Sequence, residues 1–386
     1  MTMPLAPIVG VTGGVASIVM AIVYIWFCVK QCKKLNNRNS ETASSDPSAL
    51  VEWNRGGGSS SVTGATHGAR QFSLDELEQA TKHFSDSNII GEGTFGLVYK
   101  GLLQDGTVVA IKQRRGPPQR EFEEEVHYLS EIWHRNLVTV HGYCQEDGLR
   151  ILVSQHLPNG SICNHLYDSG QDSTTSLDFK QRLSIALNAA RGLSHLHSLT
   201  PPLVHKNFKT SNVLVDENFI AKVADAGIVK LLERTDDAGS LTRIITGNIF
   251  CDPDDCIIFR VGELSVFSEA SDVYSFGVFL LELVSGQETA HCNSIRNCDS
   301  LIHWVESRID SGELIDDGLS SSFTSGGMRD LIELTLWCLN LTGDKRPRME
   351  VVASKLEMIL EKERSLTTVM GEGTSTVTTA TQLFTG

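Results

Sequence analysis

The chain has 386 residues, 41% of them hydrophobic and 21% charged, which is the balance of a globular protein with a core to bury. A formal net charge of -14 excludes a general nucleic-acid binder, because phosphate would be repelled. Nine cysteines in a chain of this length, with no pair at CxxC spacing, read as reduced thiols rather than a disulfide framework or a zinc site.

From Ile8 to Val29 no charged residue occurs. A helix of about 22 residues is roughly 33 Å long and spans a bilayer core of about 30 Å. Tyr24 and Trp26 stand near its C-terminal end, and Lys30, Lys33 and Lys34 follow. Basic flanks stay in the cytoplasm, so a retained single-pass anchor is expected, with the N-terminus outside. The other reading, a cleaved signal peptide, fits less well. No basic residue precedes the run, and no polar cleavage region follows it. Residues 1–7 would then be the outer segment, too short for a ligand-binding domain, and 8–29 the transmembrane helix. Cys28 and Cys32 sit where palmitoylation occurs, and plain thiols explain them equally well.

Residues 30–71 are expected to be a flexible juxtamembrane linker, rich in Ser, Gly, Asn and Thr and containing "RGGGSSS". Periodicity returns in "FSLDELEQATKHFS". Leu74, Leu77 and Ala80 share a helical face with His83 or Phe84, and Ser73 with Glu76 has capping-box spacing. Strand-like "GLVYKGLL" and "TVVAIK" are joined by the turn signal "QDG". Beyond about residue 176 helical patterns dominate, as in "LDFKQRLSIALNAARGLSHLH" and "SDVYSFGVFLLELVSG". A strand-rich part before a larger helical part predicts a two-lobed α+β protein over 72–361. The Thr-rich stretch 362–386 reads as a disordered tail.

"GEGTFGLV" places Gly91, Gly93 and Gly96 in GxGxxG spacing. Glycine lets backbone amides approach phosphate, although such a loop is often only a turn. A strand follows it directly, which suits a hairpin over phosphates better than a Rossmann unit. Lys112 ends "VVAIK" on the strand face opposite Val109 and Ile111. It is either a solvated charge or an amine that holds phosphate. An amine in a cleft needs a carboxylate. In "QREFEEEVHYLSEI" the apolar stripe is Phe122, Val126 and Leu129. Glu125 borders that stripe and faces inward, while Glu121, Glu123 and Glu124 read as solvated.

In order and spacing, "FSLDELEQATKHFS", "IIGEGTFGLVYKG", "VAIK", "HRNLVTVHGYC", "NFKTSNVLVDENF", "SDVYSFG" and "DKRPRM" resemble the eukaryotic protein kinases, and among them the plant receptor-like Ser/Thr kinases. The resemblance implies a bilobal fold, with a β-rich N-lobe and a helical C-lobe, and ATP with Mg2+ in the cleft between them. It implies that Gly91, Gly93 and Gly96 cover the phosphates and that Val98 and Ala110 line the nucleotide. Lys112 would hold the α/β-phosphates and pair with Glu125. Asn212 and Asp225 would hold magnesium. Gln155 to Leu157 would form the hinge, and Ser154 would guard the back of the adenine pocket, leaving it enlarged.

The departures from the family cluster on catalysis. Asn207 stands where the resemblance places the catalytic Asp, and an amide is no base at neutral pH. A general base is worth about 10²–10⁴-fold in rate, yet positioning carries most of phosphoryl transfer, so weak turnover stays allowed. Lys206 replaces an Arg that often pairs with a phosphorylated activation segment, and a lysine lacks the bidentate fork. Ala226 in "DAG" replaces a Phe expected to pack with His205, Leu129 and Val140, at a cost of about 3–5 kcal/mol if nothing refills the space. In "TGNIFCDPD" Gly247 falls on a family Thr, Asp254 is expected to pair with Arg346, and about six extra residues precede Ser271.

Three functions remain open from sequence. The first is a membrane-anchored pseudokinase that binds ATP and acts through other receptor or cytoplasmic kinases at the plasma membrane. The second is an active or weakly active Ser/Thr kinase that transfers the ATP γ-phosphate to protein hydroxyls. The third is a scaffold without nucleotide. Ser240, Thr242 and Thr246 are candidate modification sites, and the "NLT" at Asn340 would go unglycosylated in a cytoplasmic domain.

Overall fold

Alternating burial organises the first half of the protein. The computed structural model describes residues 68–167, 177–234, 249–253, 267–289, 301–319 and 322–369. The apolar run 8–29, most of the linker, and Ser240, Thr242, Thr246, Gly247 and Asp254 lie outside the described residues. Among the described residues no helix is long and apolar enough to cross a membrane.

The first half runs β1 (Arg70–Gln71), α1 (Leu74–Thr81), β2 (Ile89–Glu92), β3 (Leu97–Leu102), β4 (Val108–Arg115), α2 (Arg120–Glu131), β5 (Val140–Glu146) and β6 (Leu149–Gln155). One sheet results, in the order β1-β5-β6-β4-β3-β2, antiparallel except where β1 meets β5. Structure thus begins two residues before the expected boundary at 72. On one face Tyr99, Val109, Ile111, Ile151 and Val153 pack against Phe72, Leu74 and Leu77, so α1 roofs the sheet. On the other face Leu152 and Tyr143 meet Phe122 and Val126 of α2. Lys112 is directly opposite Leu152 in the ladder and therefore shares that second face.

The α1 cap forms only in part. Ser73 Oγ accepts from the Glu76 amide at 3.3 Å, but the Glu76 carboxylate goes to Arg70 at 2.8 and 2.9 Å instead of back to Ser73. The helix stops at Thr81 because Lys82, His83 and Phe84 all turn left-handed. His83 and Phe84 therefore leave the expected helical face, and Phe84 packs edge-on against Tyr99.

The second half contains α3 (Ile162–Tyr167), α4 (Phe179–Ser198), β7 (Val213–Val215), β8 (Ala221–Val223), α5 (Ile228–Arg234), α6 (Glu269–Ser285), α7 (Leu301–Ser311), α8 (Ser325–Cys338) and α9 (Met349–Val369). Helix α9 continues past residue 361, where the tail was expected to begin. Every α6 residue from Ser271 to Ser285 is buried, the charged Asp272 and Glu282 among them, so this helix runs through the core. The α4 N-terminus carries a complete capping box between Asp178 and Gln181. The two lobes expected from the pattern are both present.

The buried Arg346 guanidinium is held by both carboxylate oxygens of Asp252. Ser275 Oγ, on α6, donates to Phe250 O at 2.6 Å and ties the turn that carries Asp252 to the helix. The partner expected for Arg346, Asp254, lies outside the described residues. Removing one member of a buried pair strands the other charge. Asp252→Ala should therefore lower the unfolding free energy by about 3–5 kcal/mol, read by urea denaturation.

Candidate functional site

A single buried carboxylate sets the central loop. Asp272 of α6 accepts from the His205 amide at 2.7 Å and the Lys206 amide at 2.9 Å, and His197 Nε2 lies 2.8 Å from it. His205 Nε2 donates to Ala224 O at 2.9 Å, tying the loop to the strand end that carries Asp225. Burial pulls the His205 imidazole below its ordinary pKa, which favours the neutral ring whose Nδ1 accepts from the Asn207 amide at 3.3 Å. Asn212 Nδ2 donates to Asn207 O at 2.9 Å. That bond leaves the Asn212 amide oxygen as the atom for a cation, and the Ala224 amide donates to Asn212 O at 2.8 Å, which ties Asn212 to the residue before Asp225. Two oxygen donors of this kind, from Asn212 and Asp225, suit Mg2+. Lys206 and Asp225 both adopt left-handed backbone, at φ 65 each. Such strain in non-glycine residues concentrates at functional sites.

Lys112 does not pair with Glu125. Its ammonium contacts Asp225 Oδ1. Glu125 is 1% exposed and bound instead by Lys230 Nζ at 2.9 Å and Arg234 Nη1 at 2.9 Å. Both cations belong to α5, which lies against α2. The inward orientation expected for Glu125 is correct, but its partner is a different helix. Lys206 is likewise engaged within the chain, donating to Glu233 of α5 at 2.9 and 2.8 Å.

The glycine-rich loop bends into the cleft. Gly93 and Gly96 exchange backbone hydrogen bonds at 2.9 and 3.1 Å. At Gly96 (φ +145) an added Cβ would fall 2.2 Å from Gln113 O, so only glycine fits. A Cβ on Gly93 would lie 3.9 Å from Asp225 Oδ2, which puts the loop directly over the Asp225 carboxylate. The β2 ladder shifts register between Ile89 and Gly91, and Gly91 pairs with Val98. Phe95 is 1% exposed and packs with Phe122, Ile228 and Leu232. Asn207 Nδ2 donates to Thr94 Oγ1 at 2.9 Å.

Val98 opposes Lys112, and Ala110 opposes Ser154. These residues share one wall of the cleft. Gln155, the last residue of β6, and Leu157, both expected at the hinge, adjoin this wall. Lys222 Nζ reaches Gln155 Oε1 at 3.1 Å, and Leu157 is buried. Behind Ser154 is a cavity of about 30 Å³, lined by Lys112, Leu129, Leu152, Asp225, Ala226 and Ile228, among others. The void is small because Leu129 has closed on the backbone. A Cβ at Gly227 would meet its Cδ2 at 2.4 Å. The loss expected from Ala226 is thus partly refilled, and the enlargement expected behind Ser154 is modest.

Thr94, Phe95, Lys230, Glu233 and Arg234 escaped the sequence reading. The pattern Ile228, Val229, Leu231, Leu232 with charges between would have marked α5 as a short amphipathic helix. Lys209 was also missed, two residues past Asn207. Burial lowers its pKa, with Cys163 nearby acting in the opposite sense.

Residues 84–356 match the family model for protein tyrosine and serine/threonine kinases, and the chain belongs to that family. It is 36% identical over 318 residues to the proline-rich receptor-like protein kinase PERK8 of Arabidopsis thaliana, covering 79% of this chain and 45% of the relative. It is 34% identical over 354 residues to wall-associated receptor kinase 3 of the same plant, covering 90% and 46%. The chain spans less than half the length of these relatives. Among solved structures it resembles the pseudokinase domain of BIR2, an immune regulator of the RLK/Pelle family. That match has a TM-score of 0.59 and 29% identity, and covers 80% of this chain and 92% of the other.

Burial pushes the Lys112 amine down to about 8 from the usual 10.5. Between those values the unfolded chain binds the extra proton, so this group's destabilising effect is full below pH 8 and is relieved as pH rises through that window. The stability of the parent relative to Lys112→Met should therefore rise from pH 8 to 10, read by urea titrations at each pH.

Proposed function

We propose that the chain is a membrane-anchored, receptor-like signalling protein that binds nucleotide and transfers phosphate at a small fraction of the usual rate. One observation carries the reading. At position 207 the side chain turned to the cleft donates a hydrogen bond to Thr94, where transfer needs a group that accepts a substrate proton. The kinase family uses ATP with Mg2+. Lys112, Asn212 and Asp225 retain the chemistry to hold them, with Lys112 taking phosphate oxygens and the other two the cation. Bound ATP would supply an electrophilic γ-phosphorus. The residues of this chain would hold and shield it without removing a proton from an acceptor hydroxyl. The anchor is residues 8–29, and the partners are other receptor or cytoplasmic kinases at the plasma membrane. The naming of relatives as receptor kinases and of the BIR2 domain as a pseudokinase and immune regulator supports this part.

The pairing of Lys112 with Asp225 favours a second reading, a scaffold without nucleotide. Thermal unfolding of the purified chain with Mg-ATP separates the two, since a ligand of the folded state alone raises the midpoint. A rise is expected. No shift at millimolar Mg-ATP selects the scaffold. In phosphotransfer assays the parent should run at least about 100-fold below the family's 1–100 s⁻¹. Turnover near 1 s⁻¹ would contradict impairment.

A further inference from the structure

Three contacts draw the glycine-rich loop into the cleft, and one of them uses the residue that departs from the family most. Asn207 holds the Thr94 hydroxyl at 2.9 Å from across the cleft. Arg114 Nη1 holds Phe95 O at 3.2 Å from β4. The Phe95 ring lies 6.1 Å from Phe122, stacked at 27°, and shares a cluster with Ile228, Val229, Leu231 and Leu232. A fully buried aromatic contributes far more than a turn residue would, and here it joins the loop, α2 and α5 in one apolar unit.

The polar side of α5 completes the closure. Lys230 and Arg234 neutralise Glu125 from α2, and Glu233 takes Lys206 from the central loop. Phe95 thus anchors the helix that keeps Glu125 away from Lys112. With Gly93 over Asp225 and Lys112 already on Asp225, the phosphate position is filled by the protein's own groups.

We propose that Asn207 is a positioning residue that latches the glycine-rich loop shut through Thr94, so that nucleotide enters by displacing the loop and, with Phe95, loosens α5. This rests on the nucleotide-binding reading above. Binding is then weakened by the fraction of molecules that are open. Removing the latch bond should increase that fraction by the worth of one hydrogen bond, about two- to ten-fold.

The test uses the full chain with Thr94→Val, which keeps shape and removes the hydroxyl, Thr94→Ser, which keeps the hydroxyl, and Phe95→Ala. A fluorescent ATP analogue with Mg2+ reports Kd. Hydrogen exchange without nucleotide reports opening of amides 91–96 and 228–234. Thr94→Val should tighten Kd about two- to ten-fold and speed exchange at 91–96 by a similar factor. Thr94→Ser should stay within about two-fold of the parent on both. Phe95→Ala should speed exchange at 228–234. Binding that is seen but unchanged in Thr94→Val and Phe95→Ala overturns the latch and leaves nucleotide binding standing. If no chain binds the analogue, the nucleotide reading falls, and exchange alone decides the latch. Unaltered exchange at 91–96 in Thr94→Val, or equal changes in Val and Ser, overturns it.

Discussion

A buried ammonium must have a carboxylate, and the choice of carboxylate for Lys112 shapes this cleft. Two candidates exist, Glu125 on α2 and Asp225 at the end of β8. Glu125 is itself deeply buried and is neutralised twice over by Lys230 and Arg234. Moving it to Lys112 would trade two charge contacts for one while the carboxylate stayed buried. Asp225 therefore remains with Lys112. The position of α2, the docking of α5 and the insertion of Phe95 all agree with that pairing.

The substitutions at 207, 226 and 206 then belong together. Asn207 supplies a donor for Thr94. Ala226 carries no ring, and Leu129 packs on the backbone at Gly227 and lines the same cavity as Ala226. Lys206 offers a compact charge to Glu233, with no fork left to seek a phosphate. Asn207 and Lys206 thus each make a contact within the chain. The Asp272 carboxylate still clamps the loop, so these substitutions leave its tether to α6 intact.

Much of this was legible beforehand. Alternation in "VVAIK" put Val109 and Ile111 under α1 and Lys112 in the cleft, and the stripe of Phe122, Val126 and Leu129 turned Glu125 inward. Local period decides such facts. The partner of Glu125 was not legible, because it depends on where a seven-residue helix settles and not on any spacing within α2. The Asp252–Arg346 pair was not legible either, because reach to Arg346 is settled by the turn at Phe250 and not by spacing. The role of Thr94 has no sequence signature at all, since a threonine between two glycines is an ordinary turn residue.

Paired double-mutant cycles on unfolding free energy test the central claim most directly. One combines Glu125→Gln with Arg234→Gln, the other Glu125→Gln with Lys112→Met. Residues in one ion-pair network couple by about 0.5–3 kcal/mol, and distant ones by less than about 0.5. Coupling in the first cycle and none in the second is the expected result. Coupling of Glu125 to Lys112 with none to Arg234 would contradict the account.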